Sequence, residues 1–257
     1  MRTTSNPAFR NLPGVGPGGY AGFGPGQQGT VGYPATSTAA DRPMTIDDVV
    51  TRTGVTLATA LVAGVLTAAL GGYALMVPAM IVGLVLALII VFKQSANPGL
   101  VLGYAVAEGI ALGAITGVFN RLIPGIALQA ILGTSVVFAA MLVVYRTGAV
   151  KVTPRLTKWV IGATAGAAGL MLVDLLLGLF HVNLHLRDGS GPLSIIVSLV
   201  FIGIAAFNFL LDFDQADRAI RAGVPARFAW YIAFGLMVTL VWLYLEMLRL
   251  LASLQRN

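Results

Sequence analysis

"LVWLYLEMLRLL", Leu240 to Leu251, reads as a lipid-embedded helix in every respect but two. Among its leucines and aromatics it keeps Glu246 and Arg249, although a charged side chain costs about 2.5 to 3.5 kcal/mol at a bilayer centre on insertion scales. The rest of the chain shows that this setting is the rule. Of 257 residues, 57% are hydrophobic and only 10% charged, whereas soluble domains carry about a quarter charged residues. The composition is that of an integral membrane protein. With no cysteine, disulfides, thiolate metal sites and cysteine nucleophiles are excluded.

Working back from that segment, seven stretches meet the length of about 20 residues that a spanning helix needs. They run from Val55 to Gly71, Tyr73 to Phe92, Leu100 to Phe119, Ile126 to Tyr145, Trp159 to Phe180, Leu193 to Leu211 and Phe228 to Leu251. Thr45 followed by Asp48 predicts a capping box that opens the first helix, and Gly71 and Gly72 predict the tight turn into the second. Residues 1–44 differ in kind. "NLPGVGPGGYAGFGPGQQGTVGYP", Asn11 to Pro34, is rich in Gly and Pro and has no apolar period, so it reads as a disordered cytoplasmic tail ahead of a seven-helix membrane domain over 45–257. Its "GVGPGG" has neither the preceding strand nor the following helix of a dinucleotide site. No apolar run follows the first arginines, so no cleavable signal is expected.

The net charge of +6 reports topology rather than a nucleic-acid surface. If the amino terminus is inside, twelve of the sixteen basic residues fall on the inner side, leaving Arg121, Arg187, Arg249 and Arg256 outside. The positive-inside rule then places the amino terminus in the cytoplasm and the carboxyl terminus outside. The excess of Arg over Lys and the wealth of Ala and Gly suit a GC-rich bacterial genome, and hence a plasma membrane.

Several function classes drop out. The lysines, Lys93, Lys151 and Lys158, all fall in predicted loops, so no Schiff base with retinal can form in the seventh helix. An inside amino terminus argues against a G-protein-coupled receptor. There is no G-x-S-x-G elbow and no H-E-x-x-H. His181 and His185, with Asp188, have a spacing that could hold a metal, but they read better as outer-loop residues. No motif calls for a cofactor, and no enzyme activity is expected.

The acidic residues carry more information. Glu108, Asp174 and Glu246 lie inside apolar spans, and the chain has no other glutamate. A helical rise of 1.5 Å per residue puts Glu108 near mid-span and the other two roughly 7 to 9 Å outward, so that the three could share one layer. Such carboxylates must face the bundle interior, pair with cations or water, or sit protonated, and a cluster of them titrates as a coupled group. Glu246 and Arg249 can also pair at i, i+3. In "LLDFDQADRAIRAGVP" the pairs Asp214–Arg218 and Asp217–Arg221 fit a helix that runs past the membrane face and stops at Gly223. Asp212 and Asp217, with Asp214, would form an acidic mouth at the inner end. The D-x-D-x-x-D pattern lacks the glycine and terminal carboxylate of an EF-hand loop.

"YAVAEGIALG" (Tyr104 to Gly113), "FNFLLDFDQADRAI" and "LVWLYLEMLRLL", with "SNPAF" (Ser5 to Phe9) and "MTIDDVV", resemble a prokaryotic branch of the Bax inhibitor-1-like family, also called the transmembrane Bax-inhibitor-motif family. That resemblance implies a seven-helix bundle with the last helix near its centre, and a pH-sensitive calcium leak. It also implies a proton-responsive latch between two carboxylates, which by motif position are Asp214 and Glu246. Here the seventh-helix residue is glutamate rather than aspartate, and thirty-two positions separate the two. They meet only if the stretch from Val224 to Ala233 lies along the interface and the seventh helix begins late. Otherwise Glu246 pairs with Glu108 or Asp174.

Three readings of function follow: a leak for calcium or other cations gated by protons, a proton-coupled transporter, or a non-conducting regulator that binds membrane-protein partners. The last would use small-residue faces such as "GATAGAAG", Gly162 to Gly169, whose alternative use is packing within the bundle. No inverted repeat supports the transporter.

Overall fold

The computed structural model describes residues 42–179 and 192–256. Seven helices are long and apolar enough to cross a membrane. They are α1 (Ile46–Leu70), α2 (Met76–Lys93), α3 (Pro98–Leu122), α4 (Ile126–Thr147), α5 (Pro154–Leu179), α6 (Pro192–Arg221) and α7 (Ala229–Arg256). All seven predicted spans are present. The first begins nine residues earlier than its apolar run, because the polar turn Ile46–Gly54 is already helical.

The helix ends follow local chemistry. Thr45 caps α1 and forms the predicted capping box with Asp48. Gly71 closes α1 at φ +69°, a left-handed conformation that glycine adopts without a Cβ penalty, and a short 3-10 turn, Tyr73–Leu75, leads into α2. Asn97 caps α3, accepting from the Gly99 amide at 2.8 Å with Pro98 at the first helical position. Past Arg221, the amides of Gly223 and Val224 bond back to Ile220 and Ala219. The chain then turns through Pro225 and a 3-10 turn at Ala226–Phe228.

The segment just ahead of α1, from Arg42, packs onto the loop between α6 and α7. The Met44 amide donates to the Val224 carbonyl and the Ala226 amide to the Arg42 carbonyl, both at 2.8 Å. Met44 is buried, and Asp48 pairs with both Arg42 and Arg52 at 2.7 Å. This short strap holds the loop between α6 and α7. Residues 1–41, read as a tail, lie outside the described residues, as do His181, His185 and Asp188.

α7 is the axis of the bundle, packing against α1, α3, α4 and α6. Its buried residues include Met237, Leu243 and Leu248. That agrees with a central last helix, and it explains why α7 tolerates polar groups: most of its surface meets protein. The outer helices show the opposite pattern. α2 leaves Val77, Ile81 and Leu84 more than half exposed, as expected where the solvent is acyl chains.

α3 packs on α1 with almost no side chain between them. A Cβ at Gly109 would stand 2.3 Å from the Ala60 carbonyl oxygen, and one at Gly113 would stand 2.2 Å from that of Gly64. This is the close small-residue approach that drives helix association in lipid. The stripe offered as a partner-binding face, Gly162 to Gly169, does not take its alternative use of packing within the bundle: Cβ atoms at Gly162, Gly166 and Gly169 would meet nothing within 4 Å. Among the described residues α5 packs chiefly on α6, anchored by Asn208 donating to Thr164 at 2.8 Å.

Candidate functional site

One cleft of about 1080 Å³ gathers two of the three intramembrane carboxylates, Glu108 and Glu246. Its α7 wall runs from Tyr231 to Arg249, a length of about 27 Å at 1.5 Å per residue, which is close to the hydrocarbon thickness of about 30 Å. The opposite walls come from α2 and α3, and α6 contributes Asp212 and Gln215. Among the described residues, Glu108, Asp212, Glu246 and Arg249 are the charged ones that line it.

Helical spacing explains which carboxylates reach the cleft. Asp212 and Gln215 are three apart and share one face of α6, whereas Asp214 is turned roughly 200° from Asp212. Asp212 accepts a 2.6 Å hydrogen bond from the Thr239 hydroxyl. Asp214 is held instead by Arg218, and Asp217 by Arg221 and the Tyr145 hydroxyl. The two i, i+4 pairs expected from the sequence are therefore present, while the structure does not bring Asp214 to Glu246. α6 continues to Arg221 and α7 starts at Ala229, so Asp212 comes level with Thr239, seven positions and about 10 Å short of Glu246 along α7.

Glu246 is 1% exposed, and its Oε1 accepts from Arg249 Nη1 at 3.1 Å. The expected i, i+3 pair is present, with its Glu246 end buried and its Arg249 side chain partly exposed. At a buried site a carboxylate needs its counter-charge, since removing one partner strands the other.

Glu108 takes a position fixed by glycine. Gly83, the only glycine in α2, is buried, and a Cβ there would stand 3.2 Å from Glu108 Oε1. Tyr104, one turn earlier on α3, sets its hydroxyl against the same carboxylate and its ring edge-on to Phe234, centroids 4.9 Å apart. Nearer the C-terminal ends of α3 and α7, Thr116 and Tyr244 share a 2.8 Å hydrogen bond. Interpolating along these two parallel helices places Glu108 at the level of Met237, about 3 Å along α7 from the level of Asp212.

The expected single layer of Glu108, Asp174 and Glu246 is thus replaced by a staggered set. Glu108 and Asp212 stand near the middle of the cleft, and the Glu246–Arg249 pair stands about 10 Å further toward the C-terminal end of α7. Asp174 is half-buried on α5 and is not part of the lining; Met171 is the α5 residue that reaches the cleft. Sequence reading had assigned Asp212 to an inner mouth and passed over Thr239 and Gly83. Its available signal was the i, i+2 spacing of Asp212 and Asp214, which on a helix turns them to opposite sides. Among the described residues no three acidic or histidine side chains converge to hold one metal ion.

A seven-helix membrane bundle with a central last helix and a carboxylate-lined cleft defines the class of protein. The family model described as Bax inhibitor 1 like matches residues 6–256. The chain belongs to that family. A search of the curated proteins found no match.

Proposed function

We propose that this protein is a pH-sensitive cation leak, carrying calcium, in which protonation of the cleft carboxylates shifts the bundle between closed and open packings. One observation carries the reading: a single cleft follows α7 for about the depth of the hydrocarbon core and is lined by Glu108, Asp212 and Glu246. With the amino terminus cytoplasmic in a plasma membrane, Gln215 and Asp212 lie toward the inner end and the Glu246–Arg249 pair toward the outer. Glu246 holds Arg249 in the outer part of the cleft, and the open packing rearranges that pair. Glu108 and Asp212 supply the negative potential that favours cations at mid-depth. No covalent chemistry is needed.

The test is calcium flux into proteoliposomes of the purified full chain between pH 5 and 8. Glu246→Gln should remove most of the pH dependence, and Glu108→Gln or Asp212→Asn should reduce flux. Asp214→Asn should leave both largely intact, which separates this arrangement from a latch through Asp214. No flux at any pH from folded protein overturns the leak.

A second reading, a non-conducting regulator, draws on α5. The glycine face at Gly162, Gly166 and Gly169 is open, a surface suited to a helix of a membrane-protein partner. Loss of partner binding on Gly166→Leu, with carboxylate variants unchanged, would favour it.

A further inference from the structure

The cleft is far larger than a dehydrated cation requires. At about 1080 Å³ it matches or exceeds the range of roughly 300–1,000 Å³ typical of small-molecule sites, which are mostly apolar with a few polar groups fixing the ligand. Its walls fit that description. Tyr104, Tyr231, Phe234 and Trp242 line it together with aliphatic residues. On the α2 side the lining residues Val77, Met80, Ile81 and Leu84 are themselves 49–60% exposed. Since α2 spans the membrane, the cleft is continuous with the acyl-chain region along that edge.

Charge sets the sign of an occupant. Three carboxylates, Glu108, Asp212 and Glu246, face one guanidinium, Arg249, which is already engaged with Glu246. The carboxylates are spread along an apolar wall instead of converging on a point. A compact metal ion would meet them one at a time, whereas a cation carried on a bulky apolar body would satisfy charge and wall together, with aromatic faces adding cation–π attraction.

We infer that the cleft binds a lipophilic organic cation, a quaternary or protonated amine or a similar onium ion, which enters from the bilayer beside α2. Its charge lies at the level of Glu108 and Asp212 and its apolar body against α7 and α2. Gly83 is the specificity position: the space its missing side chain leaves is where Glu108 Oε1 sits, so a larger residue there displaces the carboxylate. The inference rests on the reading of this cleft as cation-accepting, but it does not require conduction.

Tetraphenylphosphonium and tetraphenylborate are near-identical in shape and opposite in charge, which makes them the probes. Equilibrium dialysis against the full-length protein in detergent should give saturable binding of tetraphenylphosphonium, about tenfold or more tighter than tetraphenylborate. Glu108→Gln and Gly83→Leu should each weaken it by about fivefold or more, with thermal unfolding confirming that the variants are folded, and Asp214→Asn should not. Equal binding of the two ions by wild type, or only unsaturable partitioning of both, overturns the proposal without recourse to any variant. Calcium flux without tetraphenylphosphonium binding overturns this inference alone; binding without flux at any pH overturns the leak alone.

Discussion

The two working faces of α3 meet at consecutive residues. Glu108 faces the cleft and Gly109 faces α1, roughly 100° apart around the helix. On the Gly109 face, backbone touches backbone at Ala60 and Gly64. On the Glu108 face the helices stand apart and leave a cavity lined by carboxylates. In lipid, where apolar burial gives little drive for helices to associate, close packing on one face is what holds the bundle together. The difference teaches that the α1–α3 seam stabilises a scaffold against which the α2–α7 side can remain open.

That contrast can be broken from either side. The largest effect is expected in the cleft. Arg249→Met leaves Glu246 buried without its guanidinium and should cost about 3–5 kcal/mol in unfolding of the detergent-solubilised protein, with Glu246→Gln in the same chain recovering most of the loss. No recovery would show that Arg249 acts by packing alone. Next comes the seam. Gly113→Ala puts a methyl group against the Gly64 backbone, which cannot give way as a side chain can, and should cost about 1–3 kcal/mol, read as a lowered Tm. A neutral result would mean that α1 and α3 separate freely, and the scaffold argument would fail. Thr239→Val removes the donor to Asp212 and should cost about 1.5 kcal/mol, with a shift in the pH profile of flux. The smallest effect is expected at Gly162→Ala on α5. The added methyl group meets nothing, so helix propensity alone acts and stability should rise by up to about 1 kcal/mol.

Much of the fold was legible because lipid makes it so. A spanning helix must satisfy its own backbone hydrogen bonds and present an apolar surface, so seven apolar runs gave seven helices. Thr45 and Asp48, Gly71, and the i, i+4 pairs Asp214–Arg218 and Asp217–Arg221 were readable because caps and turns act within a few residues. The candidate site was legible only in its members. Glu108 and Glu246 stood out as carboxylates in apolar segments, and both line the cleft. Asp174 stood out for the same reason and does not, because burial in a span says nothing about which way a helix is turned. The resemblance to the family pointed to Asp214. The helix face and the length of the loop before α7 place Asp212 in the cleft instead.

The sequence by itself determined the class of protein, the number of helices and the small set of charged residues that lipid would not tolerate facing outward. These follow from transfer energies and local geometry, which depend on neighbouring residues alone. Only the tertiary structure decided that α3 closes on α1 through Gly109 and Gly113 while the equally glycine-rich face of α5 stays open. It also decided that Gly83 makes room for Glu108 and that Asp212 comes level with Thr239. Those facts depend on how helices far apart in the chain are rotated and shifted against one another, and apolar periodicity is nearly blind to rotation when lipid and protein interior are alike in polarity.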